Sequence, residues 1–189
     1  MQTVSFIHMS EGTTEDYEFL ENLEKQYAAD LPSRIETSLA KLENSLSGYK
    51  VTRLVHSLQS ATRAHRDRRS VEYVVAALIH DIGDELAPYS HSEMAASILR
   101  PFVSDDLYQI IRTHGVFQIY YYGDQMGMDK NVRERYASES WYHDAIEFCE
   151  KYDQNCFDPS YDHEPLEFFR PMIKEVFSRE PTFGEISAA

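Results

Sequence analysis

The sequence predicts an all-α fold. Apolar residues recur at intervals of three and four along most of the chain, which is the period of helices that bury one face. No segment alternates apolar and polar residues long enough to require a sheet, and residues 116–122 come nearest to a strand. The 7 glycines and 7 prolines form no linker, and 189 residues suit one ordinary domain. We therefore expect a single helical domain over residues 1–189.

The first half of the chain carries four apolar stripes, each of which predicts one helix. The N-terminal helix is expected over residues 14–29 behind the cap-like Thr14, and the second helix begins after Ser33. The core of the domain is expected over about residues 33–178. The four stripes are Phe19, Leu20, Leu23 and Tyr27; Ile35, Leu39, Leu42 and Leu46; Val51, Leu54, Val55, Leu58 and Ala61; and Val71, Val74, Val75, Leu78 and Ile79.

The second half of the chain carries four more stripes. Pro88 marks a loop before the fifth helix, and Pro101 and Ser104 separate the fifth helix from the sixth. Residues 180–189 are expected to form a frayed tail. The stripes are Met94, Ile98 and Leu99; Leu107, Ile110 and Ile111; Trp141, Ala145, Phe148, Cys149 and Tyr152; and Leu166, Phe169, Met172, Ile173 and Val176.

Charge and cysteine usage narrow the class of partner and the compartment. Lys and Arg number 18 against 32 Asp and Glu, so the net charge is −14 and nucleic acid or an anionic membrane is not expected as a partner. Two cysteines, Cys149 and Cys156, form no disulfide framework and indicate a reducing compartment. The N-terminus lacks the pattern of a secretory signal. We expect a soluble, cytoplasmic protein that is a monomer or a small homo-oligomer.

Four histidines and two aspartates occur within or at the ends of apolar helices. One such histidine is usually a hydrogen-bonded core residue, but six residues of these two types in one chain favour a metal site. Imidazole and carboxylate suit Zn, Fe, Mn or Ni, and the lack of clustered cysteines argues against a thiolate site. The six candidates are His56, His80, Asp81, His91, His114 and Asp153.

The order His56…His80-Asp81…Asp153 resembles the H…HD…D pattern of the HD-domain superfamily, an all-helical bundle whose members bind metal ions. The additional His91 and His114 resemble the dinuclear branch of that superfamily. Together with the segment VHSLQSA, the pattern is most similar to the mixed-valent diiron oxygenases that cleave phosphonates. The similarity covers about residues 45–178.

The resemblance implies a dinuclear Fe(II)/Fe(III) centre, O2 as a co-substrate, and a small phosphonate as the substrate. In that family the carbon–phosphorus bond of a hydroxylated phosphonate is cleaved to phosphate and a carboxylic acid. Carried onto this chain, it implies that one iron is held by His56, His80 and Asp153, that the other is held by His91 and His114, and that Asp81 bridges them.

The substrate pocket departs from the family pattern. Asp84, Gln118 and Glu150 stand where a related enzyme has His, Lys and Arg, which favours a substrate with a more cationic far end. Aromatic faces bind methylated ammonium groups, and Tyr49 aligns with the loop that the related enzyme closes over its iron and substrate. We expect Tyr49, Asp84 and Gln118 to contact substrate, and Tyr49 and Asp81 to take part in catalysis.

Three functions remain open. The favoured one is oxidative cleavage of (R)-1-hydroxy-2-(trimethylammonio)ethylphosphonate to glycine betaine and phosphate. The alternative is a metal-dependent HD phosphohydrolase that acts on a nucleotide or another phosphate ester and consumes no oxygen. A non-catalytic metal-binding module is the weakest, because the ligand set is complete. Arg53, Lys151 and Arg170 are all candidates to bind a phosphonate, and the sequence does not choose among them.

Overall fold

Eight α-helices make up most of residues 2–182, the part of the chain that the computed structural model describes. No strand occurs within those residues, so the predicted all-α class is confirmed. Three 3-10 turns lie at Met9–Glu11, Leu42–Asn44 and Val132–Tyr136, and a π-helical turn lies at Cys149–Asp153. The helices are α1 (Thr14–Ala29), α2 (Leu31–Lys41), α3 (Arg53–Arg66), α4 (Val71–Ile79), α5 (His91–Leu99), α6 (Asp105–Met126), α7 (Tyr142–Phe148) and α8 (Leu166–Phe177).

Helix α4 is the centre of the packing. Every residue from Tyr73 to Ile79 is buried, as expected for a helix that is apolar on all sides. α3, α6 and α8 each pack against it. Because neighbouring helices surround α4, the C-terminal end of this helix lies inside the protein. His80, the next residue, is completely buried there.

Residues 116–122 form part of α6 and not a strand. α6 begins behind Ser104, whose Oγ accepts a hydrogen bond from the backbone N–H of Leu107 at 3.3 Å. It ends at Gly127, which has a left-handed φ of 68°. The β-propensity of the intervening residues is overridden because α6 packs against α5 and α7. The apolar pattern of the sequence predicts that this helix ends near His114. In the structure His114 lies in the middle of α6.

Two predicted apolar stripes are less buried than their pattern indicates. α1 has the range predicted for it, but its Leu23 and Tyr27 are 43% and 68% exposed. Leu46 is 62% exposed and lies outside α2, which ends at Lys41.

At the other end of the chain, Thr182 donates its backbone N–H to the Pro101 carbonyl at 2.9 Å. Residues 183–189 of the predicted tail lie outside the described residues.

No helix within residues 2–182 combines the length and the apolar character needed to cross a lipid bilayer.

Gly83 allows the turn after α4 to approach the start of α5. A Cβ atom at Gly83 would lie 2.8 Å from both the Cα and the carbonyl oxygen of His91. Gly83→Ala is therefore expected to lower the free energy of unfolding by about 1–3 kcal/mol, because backbone atoms must move apart. Urea denaturation monitored by circular dichroism measures this.

Gly115→Ala is the matched control, since its nearest contact would be the rotatable Ser92 hydroxyl at 3.1 Å. Within a helix, alanine is favoured over glycine by roughly 0.5–1 kcal/mol, so this variant should not be less stable than wild type. Equal losses of stability in the two variants would contradict the argument.

Candidate metal centre

Six side chains from five parts of the fold meet at one point beside the end of α4. α3, the turn after α4, the first residue of α5, the middle of α6 and the π-helical turn each contribute. Five of the side chains are buried, and His91 is 27% exposed. All six residues that the sequence singled out as ligands are thus brought together. They are His56, His80, Asp81, His91, His114 and Asp153.

The Asp81 carboxylate lies between two pairs of imidazoles. Its Oδ2 is 3.2 Å from Nε2 of His56 and 3.2 Å from Nε2 of His80. Its Oδ1 is 3.4 Å from Nε2 of His91 and 3.4 Å from Nε2 of His114. A carboxylate that turns one oxygen to each pair has the geometry required to contact two cations at once.

Asp153 adds a second carboxylate on the side of His56 and His80. Its Oδ1 is 3.4 Å from Nε2 of His56 and 3.7 Å from Nε2 of His80. Its Oδ2 is buried and has no hydrogen-bond partner among the described residues. Asp153 is the last residue of the π-helical turn, a rare geometry that is frequent at functional sites. An unpartnered buried carboxylate oxygen is costly in an empty site and suits a metal ligand.

Backbone carbonyls orient three of the four imidazoles. A carbonyl only accepts, so each of these Nδ1 atoms donates its proton and leaves the Nε2 lone pair directed at the centre. Nε2 of His56 and Nε2 of His80 are 3.0 Å apart, so the two lone pairs face each other unless a cation lies between them. This donor set fits metal ions. The three contacts are His56 with Cys156 O at 3.1 Å, His80 with Ala77 O at 2.6 Å, and His114 with Ile111 O at 2.7 Å.

The protonation of the centre follows from its two carboxylates. Burial alone would lower the pKa of His56 and His80, but hydrogen bonds and charge from Asp81 and Asp153 outweigh it and raise both pKa values. Burial would likewise raise the pKa of the two aspartates, but the imidazoles lower both, and Arg53 contributes to the lowering at Asp81. His91 differs, because burial and the neighbouring His114 lower its pKa. The carboxylates are therefore charged and ready to hold a cation.

Of the three basic residues that the sequence offered as phosphonate ligands, Arg53 is the one whose side chain contacts this centre. Its Nη2 donates to Asp81 Oδ2, and its Nε donates to Asp84 Oδ2 at 2.6 Å. Burial opposes its charge, but Asp81 and Asp84 outweigh this and raise its pKa. Lys151 and Arg170 instead form ion pairs with glutamates, at 2.7 Å in each case. The three-residue spacing from Arg53 to His56, one helical turn, was the available signal in the sequence.

A cavity of about 420 Å³ opens beside the centre. Tyr49 and Gln118, both predicted to contact substrate, line it, whereas Asp84 is not among its lining residues. The Tyr49 ring is stacked on Phe157 at a centroid distance of 4.8 Å, and Phe157 is stacked on His56 at 4.3 Å. Phe157 had no signal in the sequence, because it lies in a loop that only the tertiary structure brings to α3.

We expect the stability of the metal-free protein to fall as the pH rises. Because the folded pKa values of His56 and His80 are raised, the folded chain keeps protons that the unfolded chain releases above about pH 6.5. This stabilisation is fully present below that pH and is lost as the pH rises through the raised values. The lowered pKa of His91 has the opposite sign and reduces the slope. Each extra proton held by the folded state contributes about 1.4 kcal/mol per pH unit.

Urea unfolding of chelator-treated protein between pH 6 and pH 9 measures the slope. His80→Ala should flatten it, and a variant of the exposed His143, His143→Ala, should leave it unchanged. Metal-loaded protein should not show the fall, because a cation replaces the protons. An equal slope in wild type and His80→Ala would contradict the assignment.

No protein-family model matches the sequence, and no curated protein matches it. The chain itself provides a cluster of four imidazoles and two carboxylates that could hold metal ions, and all of these side chains except His91 are buried.

Proposed function

We propose that the centre binds two iron ions and that the protein is an HD-domain oxygenase that cleaves the carbon–phosphorus bond of a hydroxylated phosphonate. The observation that carries the dinuclear part of the proposal is the division of the two Asp81 oxygens between two imidazole pairs, at 3.2 Å on one side and 3.4 Å on the other. The oxygenase reaction rests on the resemblance of the ligand pattern. A hydrolytic site with a single ion needs neither His91 nor His114, whereas a hydrolytic site with two ions would use both. The set of ligands therefore favours a dinuclear centre.

The six side chains would hold the two ions in unequal environments. His56, His80 and Asp153 would hold one ion, His91 and His114 would hold the other, and Asp81 would bridge. Iron would supply one-electron redox chemistry with O2, which zinc cannot supply. Carbonyl contacts to Nδ1 fix three of the rings in the orientation that this role requires.

The cavity suits a small substrate that carries both an anionic group and a methylated ammonium. Its volume of about 420 Å³ is of the size that small-molecule sites have. Tyr49, Tyr121, Tyr122 and Phe157 line it, and an aromatic face contributes about 0.5–2 kcal/mol to binding of a quaternary ammonium. The Gln118 amide also lines the cavity and can donate a hydrogen bond to a phosphonate oxygen. The substrate that we favour is (R)-1-hydroxy-2-(trimethylammonio)ethylphosphonate, which would yield glycine betaine and phosphate.

Metal analysis tests the dinuclear centre. After anaerobic loading with Fe(II), wild type should retain two ions per chain, and His91→Ala or His114→Ala should retain about one, because each removes a ligand from the same side. Asp81→Ala should disturb both ions, since Asp81 contacts both imidazole pairs. His143→Ala should retain two. Full retention in both the His91 and His114 variants would contradict the assignment.

Phosphate release tests the reaction. With the trimethylammonio substrate, release should require Fe(II) and O2, with one O2 consumed per phosphate in an oxygen-electrode assay. Deuterium at the hydroxylated carbon should slow the reaction, because that C–H bond must break. Equal release under argon would overturn the oxygenase proposal, and release from phosphate esters under argon would support the phosphohydrolase.

A further inference from the structure

Arg53 and Asp84 form an ion pair against the centre although neither belongs to the six ligands. Their side chains are 9% and 10% exposed, and Arg53 Nε lies 2.6 Å from Asp84 Oδ2. Arg53 also donates Nη2 to the Asp81 oxygen that faces His56 and His80. On the other side of the pair, Asp84 Oδ1 is 3.7 Å from Nδ1 of His91. The pair therefore joins the two halves of the centre from outside.

The two halves differ in charge. The half built on His56 and His80, called here the first position, has Asp81 Oδ2 and Asp153 Oδ1 beside its rings. The half built on His91 and His114, the second position, has Asp81 Oδ1 at 3.4 Å from both rings. Asp153 lies farther away, within 4.8 Å of His114. Since carboxylates attract divalent cations more strongly than neutral imidazoles do, the ligands by themselves favour the first position.

The polarity of the ion pair opposes this difference. The positively charged Arg53 lies beside the carboxylate-rich first position. It donates to Asp81 Oδ2, the oxygen that a cation bound at that position would also contact. The negative Asp84 lies beside His91 at the carboxylate-poor second position. The pair thus moves negative charge towards the second position without changing the net charge of the centre.

The surroundings of His91 support the same conclusion. Nδ1 of His56, His80 and His114 contacts backbone carbonyls, whereas the polar group facing Nδ1 of His91 is the Asp84 carboxylate. At 3.7 Å the Asp84 carboxylate is too far to accept a hydrogen bond from this ring and acts on it through its charge, which favours a cation bound to His91. The guanidinium of Arg53 is already matched by two carboxylates, so it is poorly suited to act as a free anion site.

We propose that Arg53 and Asp84 are a positioning pair that balances the two metal positions and so allows the second ion to bind. The inference rests on the dinuclear centre proposed above. It assigns Asp84 to the support of His91, where the sequence had placed it against substrate. Loss of the pair should strengthen the preference for the first position and weaken binding at the second.

The test is a calorimetric titration of chelator-treated protein with Co²⁺ at fixed pH, with no reaction being measured. The double variant Arg53→Gln/Asp84→Asn removes one charge of each sign and preserves the net charge. The second dissociation constant should rise by about tenfold or more while the first stays constant or falls. Arg53→Lys, which keeps the charge but not the fork of two nitrogens, should give a smaller rise.

The control is Arg170→Gln/Glu36→Gln, which removes an ion pair of 2.7 Å from α2 and α8. It should leave both dissociation constants unchanged. An equal weakening of both ions in the Arg53/Asp84 variant, with a lower Tm, would show a merely structural pair and overturn the inference. Unchanged constants would also overturn it. Wild type serves as the reference for the dinuclear centre. If wild type binds two ions, either of these results speaks against the ion-pair inference alone. If wild type binds fewer than two ions, the dinuclear centre itself is wrong.

Discussion

The site depends on the interaction of the Asp81 carboxylate with the four imidazoles on either side of it. Its two oxygens lie 3.2 Å and 3.4 Å from the ring nitrogens on either side. Four ring nitrogens and two carboxylates gathered at one point repel each other unless positive charge lies between them. Protons supply that charge in the metal-free chain, which is why the pKa values of His56 and His80 are raised. Metal ions can supply it instead.

The fold provides what this carboxylate needs, because α4 ends inside the protein. A helix that is apolar on all sides is buried along its length, so the residues after it, His80 and Asp81, emerge in the interior. The close approach at Gly83 then brings the first residue of α5 back to the same point. Burial of charge is costly unless each charge has partners, and here Arg53 and the imidazoles supply them. The free-energy cost of burying these charges thus falls at the proposed metal centre.

Much of the secondary structure and the identity of the candidate ligands could be predicted from local patterns. The period of three and four residues reports which side of a helix is buried, and it gave the range of α1 without tertiary information. The same period could not report how deeply a stripe is buried. Leu23 and Tyr27 of α1 have the pattern but remain exposed, because burial depends on which helices pack against α1. Residues 116–122 became helical for the same reason, since packing against α5 and α7 outweighs their β-propensity.

The sequence by itself determined the all-α class and the set of four histidines and two aspartates. Residue type and apolar context are local properties, and both can be seen along the chain. Only the tertiary structure decided that Asp81 lies between the imidazole pairs, that Phe157 stacks on His56, and that Asp84 faces Arg53 and His91. These contacts join segments far apart in the chain, and their geometry depends on how the helices pack, which no local pattern records.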